Sequence, residues 1–309
     1  SSGIYYSDDG ANTWTLSTGI PTDATVSSTA YINYTAISAT YLLASTELGI
    51  YKSTNNGTSW TALPSSPTGP LGKAVYGVTA LYDAAATNKL VLLATVPGVG
   101  VYSSIDQGTT WALSNSGLPT ASLLAPMSSV NVETGTNVSI ALDGLGIYKS
   151  TDRGATWSLF ADNNKLPGAR FYFQSSAGLP TGSTAKMHVG TIAGTYSSSD
   201  NGATWVKATG LPGGTISNVG FDSNGVTYAS TASGTYKLDS GSKNWVRLPG
   251  LPATDYSSVT VKGTQIYSGT NNFGVFKYTG SQWVPMNTGL PPAETLVSGN
   301  ANLRNDSST

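Results

Sequence analysis

The sequence predicts an all-β protein: a seven-bladed β-propeller of four-stranded antiparallel blades, closed by N- and C-terminal strands that share one blade. Three observations carry that reading. The seven tryptophans, Trp14, Trp60, Trp111, Trp157, Trp205, Trp245 and Trp283, recur at spacings of 46, 51, 46, 48, 40 and 38 residues. A glycine-led, β-rich run precedes them, as in Gly49-Ile50-Tyr51-Lys52 and Gly146-Ile147-Tyr148-Lys149, and a Leu-Pro or Ile-Pro follows, as in Ile20-Pro21 and Leu290-Pro291. No segment carries an apolar stripe of helical period over three turns. Seven such phrases in 309 residues give a period of about 44, inside the range that marks solenoids, propellers or arrays.

Residues 214–248 show one period in order. Ile216–Asp222 reads as strand one, Ser223-Asn224-Gly225 as a turn and Val226–Thr231 as strand two. Gly234–Leu238 follows as strand three and Trp245–Leu248 as strand four. Short runs of β-formers between Gly, Asn, Asp and Ser turns pair as antiparallel hairpins. Radial closure buries both faces of each sheet, which explains apolar residues on both parities of many strands. The ends complete the count. From Pro212 to Gly234, and from Pro252 to Gly274, is 22 residues; from Pro291 through Thr309 and on from Ser1 to Gly3 is 21. Residues 1–309 are therefore expected to form one domain, with 3–18 and 292–309 making a composite seventh blade. Gly3–Leu16 supplies its outer strands, and the inner ones come from about Glu294 onward.

Composition excludes more chemistry than it suggests. Charged residues make up 10% of the chain, against about 25% in an average soluble protein. Fifteen basic and 16 acidic side chains leave a net charge of -1, so there is no basic face for nucleic acid and no polybasic patch for an anionic membrane. With no cysteine there are no disulfides, zinc-thiolate sites or iron–sulfur clusters, and one histidine argues against a His-rich metal site or a Ser-His-Asp centre. No apolar run approaches the roughly 20 residues that span a bilayer, so no direct membrane insertion is expected. The first residues lack a signal-peptide pattern, as expected of a mature or excised chain.

The turn before strand four reads S-x-D-x-G-x-x-W. Clean copies are Ser104-Asp106-Gly108-Trp111, Ser150-Asp152-Gly154-Trp157 and Ser198-Asp200-Gly202-Trp205, while Ser53-Asn55-Gly57-Trp60 carries Asn for Asp. The first copy reads as Tyr6-Asp8-Gly10-Trp14 with one extra residue. Those around Asp239-Gly241-Trp245 and Thr279-Gly280-Trp283 are degenerate. A turn Asp or Asn accepts backbone N–H bonds, Gly supplies a positive φ, and Trp anchors the hairpin with a large buried area. The phrase resembles the Asp-box, or bacterial neuraminidase repeat, of sialidases, xyloglucanases, sortilin-type receptor domains and a photosystem II assembly factor. That resemblance implies a propeller with the boxes at the periphery, away from the ligand face. Asp8, Asn55, Asp106, Asp152, Asp200 and Asp239 are accordingly assigned structural roles. It implies no shared activity, because those families do unrelated things.

The sialidase reading fails on the residues themselves, and the glycosidase reading lacks a matching motif. The sialidases that the repeat resembles grip a carboxylate with three arginines. This chain has Arg153 inside a box turn, Arg247 after a box Trp, Arg304 in the tail and only Arg170 near the opposite face. A xyloglucanase-like reaction needs two carboxyls roughly 5–9.5 Å apart. Outside the boxes, Glu47, Asp143, Asp162 and Asp255, with Asp23 and Glu294, fall on loops after strands two and four. Asp143 reads in register with Thr46, Thr95, Thr191, Thr231 and Thr270, an acid in place of a repeated Thr. Arg170 and Asp255 each stand three residues beyond a repeated Pro, near the mouth of the central channel. His188 aligns with Leu43, Leu92, Tyr228 and Tyr267, a packing position of strand two.

No catalytic residue, cofactor or metal is expected from this sequence. It is expected to be a non-catalytic extracellular or cell-surface module that binds a protein partner or glycan, with self-association in a surface assembly or filament. Two alternatives stand beside this: a lectin-like carbohydrate-binding propeller, and a glycoside hydrolase of xyloglucanase-like type. On any of the three, the ligand-facing candidates are Glu47, Asp143, Asp162, Arg170 and Asp255.

Overall fold

The computed structural model describes residues 3–34, 39–64, 69–70, 72–83, 89–120, 130–132, 136–142, 144–162, 164–166, 172–175, 187–191, 193–200, 202–211, 216–239, 244–252 and 257–291. Its strands are β1 (Tyr5–Tyr6) and β2 (Thr15–Leu16), followed by six sheets of four. Sheet one is β3 (Val26–Tyr34), β4 (Ala39–Thr46), β5 (Gly49–Ser53) and β6 (Thr61–Ala62); sheet two is β7 (Gly77–Asp83), β8 (Lys89–Val96), β9 (Gly100–Ser104) and β10 (Ala112–Leu113). Sheet three is β11 (Asn131–Val132), β12 (Val138–Leu142), β13 (Gly146–Ser150) and β14 (Ser158–Ala161). Sheet four is β15 (Tyr172–Ser175), β16 (Met187–Thr191), β17 (Gly194–Ser198) and β18 (Val206–Lys207). Sheet five is β19 (Ile216–Phe221), β20 (Thr227–Thr231), β21 (Gly234–Leu238) and β22 (Trp245–Arg247). Sheet six is β23 (Ser257–Lys262), β24 (Gln265–Thr270), β25 (Gly274–Tyr278) and β26 (Trp283–Pro285). Strands in each sheet pair in chain order and antiparallel, the arrangement that short hairpins enforce.

The blade count corrects the sequence reading. Among the described residues six four-stranded sheets are present, not seven, and the N-terminal strands form a two-stranded sheet. The expected inner strands of a composite blade fall in 292–309, outside the described residues. Strands one to three are rich in apolar and small residues and form the wedges between sheets, whereas most outer strands are only two residues long. The second strands β12, β16 and β20 are buried at every position, as both their faces meet neighbouring sheets. Six apolar clusters fill successive seams. The largest runs from Ile32 and Leu43 of sheet one to Leu92 and Trp111 of sheet two. Another joins Ile4 and Ile20 of the N-terminal segment to Tyr51 and Trp60 of sheet one. A fully buried leucine such as Leu92 contributes about 1.5–3 kcal/mol.

A repeated clasp fixes four of the seams at the rim. The carbonyl of Ser116 accepts from the Trp157 backbone N–H at 2.8 Å, and that of Thr209 from Trp245 at 2.9 Å. Thr18 makes the same bond to Trp60, and Thr288 makes it to Trp14, both at 2.9 Å. Two indole N–H groups also cross a seam: Trp157 Nε1 donates to Ser114 O at 2.8 Å and Trp14 Nε1 to Met286 O at 2.7 Å. The N-terminal pair therefore joins sheet six on one side and sheet one on the other, so the circuit closes at its rim. The next residue in each clasp is Gly19, Gly117, Gly210 or Gly289, all at positive φ, and a Cβ there would land on the backbone of the facing Trp. No side chain fits, which is why glycine recurs before the Ile-Pro or Leu-Pro.

The second-to-third strand hairpins repeat one threonine contact. Thr46 pairs with Gly49, Thr191 with Gly194, Thr231 with Gly234 and Thr270 with Gly274, and each Thr hydroxyl donates to that glycine's carbonyl at 2.9–3.3 Å. In sheets two and three the same place belongs to Val96 and Leu142. Thr95 lies one residue earlier, opposite Val101.

The outer edges share one trait. Strands β2, β6, β10 and β18 are two residues long, β22 ends in Arg247, β26 ends in Pro285, and β14 is interrupted by a bulge at Phe160. Short, charged, proline-capped or bulged edges do not extend a sheet into another molecule.

Candidate functional site

Box turns sit where a chain leaving strand three must reverse tightly, and their hydrogen bonds show why the residue types recur. Ser104, Ser150 and Ser198 each donate a hydroxyl to the acid two residues on, at 2.7–2.8 Å, and accept the box glycine N–H at 2.7–2.9 Å. Asp106, Asp152 and Asp200 then accept the backbone N–H of the Thr four residues on at 2.8–2.9 Å. Asn55 copies this with Ser53 and Ser59, its amide nitrogen donating to the Ser59 hydroxyl at 2.8 Å. Glycine φ values of 81° to 90° at Gly57, Gly108, Gly154 and Gly202 lie in the left-handed region.

Asp8 is not the acid of the first copy. Ser7 donates to Asp9 at 2.8 Å, Asp9 accepts the Thr13 N–H at 2.9 Å, and the Ala11 N–H donates to Ser7 at 2.9 Å. The copy therefore runs Ser7-Asp9-Ala11-Trp14 with no extra residue. Ala11 takes the glycine's place at φ 72°, and Gly10 beside it misleads the eye. At the degenerate copy, Asp239 donates its backbone N–H to Asn244 O at 2.9 Å, and residues 240–243 are outside the described set.

Hydrogen bonding holds these acids ionised. The Thr13 hydroxyl, then its N–H, brings Asp9 down to about 2, and Thr204 does the same for Asp200. At Asp106 and Asp152 burial pushes upward, but bonds from Thr110 and Thr156 outweigh it and both stay below the usual carboxylate range. A depressed carboxyl stabilises the fold above its unfolded value near 4, and that contribution is lost as pH falls toward 2. Acid melting of the box turns should therefore begin below about pH 4. Asp152→Ala should lower stability by about 1 kcal/mol in thermal melts at pH 7 and flatten part of the loss below pH 4.

The predicted ligand-facing residues divide. Asp143, Arg170 and Asp255 lie outside the described residues. Glu47, in the β4–β5 hairpin, is half-buried and accepts the Thr25 N–H at 2.6 Å; that bond holds it below the usual range. Asp162, after β14, accepts the N–H groups of Asn164 and Lys165 at 3.1 and 3.3 Å and the Asn164 amide at 2.9 Å. Burial would raise its value, and the bonds from Lys165 and Asn164 outweigh that and lower it. The two stand on loops of sheets one and three, each bonded to backbone N–H groups of other residues. Among the described residues no three His, Cys, Asp or Glu side chains gather where they would hold a metal ion. Arg247 donates to Ser233 O at 2.9 Å and Leu251 O at 3.4 Å, holding its own loop.

One acid escaped the site reading. Asp222 is buried, accepts the Asn224 and Val226 N–H groups at 2.9 and 2.8 Å, and takes the Tyr228 hydroxyl at 3.3 Å. Burial first, and Asp222 second, push that phenol up to about 12. The signal was local: Asp-Ser-Asn-Gly is a strong turn sequence. Among the described residues two aromatics are exposed, Tyr76 (48%) just before β7 of sheet two and Phe273 (42%) in the β24–β25 hairpin of sheet six.

No protein-family profile and no curated protein matches the sequence. Solved structures do match. The extracellular domain of a putative one-component system from B. thetaiotaomicron aligns at TM-score 0.65 and 12% identity over 85% of this chain and 33% of its own. The GH74 xyloglucanase from Xanthomonas campestris aligns at 0.61 and 18% over 85% and 45%, and the Niastella koreensis GH74 enzyme at 0.63 and 17% over 94% and 51%. This chain thus spans a third to a half of the length of those proteins. At such identities the likeness concerns fold alone, and with the sheets described above it makes the chain a β-propeller of four-stranded antiparallel sheets.

Proposed function

We propose that the chain is a non-catalytic, extracellular or cell-surface propeller module that presents a rigid surface to a protein or glycan. One observation carries this reading. Asp9, Asp106, Asp152, Asp162, Asp200 and Asp222 accept backbone N–H bonds that hold turns, and Glu47 accepts one that ties the β4–β5 hairpin to the segment before β3. A carboxylate committed in this way is a poor general acid and a poor nucleophile. The extracellular-domain title of the B. thetaiotaomicron neighbour supports the proposed location, and no helix among the described residues is long and apolar enough to cross a membrane. The test is twofold: incubation with chromogenic xyloglucan and related polysaccharides, and screening of immobilised glycans and surface proteins. No turnover with saturable binding supports the module, and steady turnover refutes it.

Tyr76 and Phe273 favour a second reading, a lectin-like face, because exposed aromatic rings offer flat apolar area beside polar groups. Loss of glycan retention in Tyr76→Ala and Phe273→Ala, with unchanged melting, would select it over a protein-binding face.

The ring itself belongs to the proposal. Residues 1–309 form one domain with Asp-box-type turns and seven places. Gly3–Leu16 is the outer part of the seventh, and Thr295–Asn300 runs on its inner side. Deleting 292–309 should lower Tm far more than loss of a free tail and promote oligomers by leaving β1 as an unpaired edge. Thermal melting and light scattering of the truncated chain decide it; a monomer that melts like the parent removes the tail from the blade.

A further inference from the structure

Three asparagines in the chain precede a glycine, at 56–57, 201–202 and 224–225. Asparagine is a heat-labile residue, and a following glycine leaves the backbone nitrogen open to attack the side-chain amide carbon. In this fold each of those glycine nitrogens is held. The Gly57 N–H donates to the Ser53 hydroxyl at 2.9 Å, that of Gly202 to Ser198 at 2.7 Å, and that of Gly225 to the Asp222 carbonyl at 2.9 Å. Asn201 lies outside the described residues, while Asn56 and Asn224 are exposed. Asn56 stands at the tip of the first-sheet box turn at φ 61°, and both Gly57 and Ser53 are buried behind it. Gln107 and Arg153 hold the same tip in sheets two and three, with side chains that do not close a five-membered ring.

We propose that Asn56 is a guarded modification site: the Ser53 hydroxyl keeps it an amide while the box turn is closed, and opening of the turn lets it become aspartate or isoaspartate. In the open turn the Gly57 nitrogen gives its proton to water and attacks Cγ of Asn56. The N–Cγ bond forms, the Cγ–Nδ2 bond breaks, and Nδ2 leaves as ammonia, taking a proton back from water. A water molecule then opens the cyclic imide at either carbonyl, to aspartate or isoaspartate. In the closed turn the first step is blocked twice, since the proton is bonded to Ser53 Oγ and burial keeps base from it. Isoaspartate routes the backbone through Cβ and adds one carbon between residues 56 and 57. That displaces Gly57, whose carbonyl accepts the Ser17 hydroxyl, and Thr58, whose carbonyl accepts the Thr18 N–H at 3.1 Å. Those bonds fasten the N-terminal pair to sheet one. Conversion therefore loosens that joint, and each opening of the turn risks a permanent chemical mark.

The test ages the full chain and its Ser53→Ala variant in warm, mildly alkaline buffer and follows each Asn-Gly peptide by the mass gained when an amide becomes an acid. Removing one hydrogen bond raises the open fraction roughly three- to tenfold, so Asn56 should convert faster by that factor. Asn224 should keep the parent rate, because a backbone carbonyl holds Gly225. Equal acceleration at both pairs, or none at Asn56, would overturn the proposal. Should the variant not fold, the parent decides it. In mild denaturant, conversion of Asn56 and exchange of the Gly57 amide hydrogen should rise together, because both need the same opening. Conversion that ignores exchange overturns the guard. Chains separated after conversion to isoaspartate should exchange faster in peptides holding Tyr5–Tyr6 and Thr15–Leu16. Asn56→Asp, which adds the charge without the extra carbon, should not. Unchanged exchange in the converted chains overturns the loosening of the joint. None of these readouts involves a ligand or turnover, so the functional reading stands or falls separately.

Discussion

Gly289→Ala lowers the stability of the whole molecule by about 2–5 kcal/mol, as much as the same change at an internal joint. Gly289 holds φ +87°, and an added Cβ would meet the Trp14 carbonyl, as one at Gly117 would meet that of Trp157. Two costs combine: a left-handed backbone that alanine resists, and a backbone collision that no rotamer relieves. Gly263→Ala separates them, since φ is +59° there and a Cβ meets nothing within 4 Å. That control should cost only about 1–2 kcal/mol. Denaturant melts of the three variants are the measurement. Equal losses at 117 and 289 mean that the N-terminal pair closes the ring as firmly as any sheet joins its neighbour. A Gly289 variant no worse than the Gly263 control would mean that the last joint carries little.

Trp157→Ala costs about 3–5 kcal/mol, the usual penalty for emptying a buried aromatic site. The indole is 4% exposed and packs with Leu93, Ile140 and Tyr148, and Gly154 leaves room for the ring edge. Its Nε1 also donates to Ser114 O across the seam at 2.8 Å. Trp157→Phe keeps most of the apolar contact and strands that carbonyl, so it should cost about 1–2 kcal/mol. The gap between the two variants, read from equilibrium unfolding, divides the anchor into packing and bonding. Similar losses for both would show that the hydrogen bond, rather than the volume filled, dominates.

Much of this architecture was legible because the repeat writes its chemistry into side chains. Tryptophan spacing gave the phase of the sheets, and serine, acid and glycine at fixed offsets gave the turns. Legibility failed where the backbone does the work. The rim clasp joins carbonyl and N–H groups, and only its glycines leave a trace in the sequence. At Gly10-Ala11 an ordinary glycine sits beside the residue that holds the left-handed box position, so the acid was read as Asp8 instead of Asp9. In sheets two and three Val96 and Leu142 hold the place that threonine takes elsewhere, and side-chain identity alone does not reveal it. The candidate site was the least readable part. A loop acid looks the same in sequence whether it faces a ligand or bonds the backbone; Asp162 holds its own turn and Glu47 ties its hairpin to the segment before β3.

The blunted outer strands have a bearing on how this protein behaves in a crowd. With charged residues at 10% of the chain and a net charge of -1, mutual repulsion does little to keep copies apart. Leu113, Leu159, Val206 and Val246 stand 52–66% exposed around the circumference, which adds a mild stickiness. The two-residue edges, the bulge at Phe160, the charge at Arg247 and the ring of Pro285 leave that stickiness without a strand-long template to copy. Colloidal stability is thus supplied by geometry rather than by charge. Any meeting of two copies at the rim is thus expected to rest on side chains, and high salt should change solubility little.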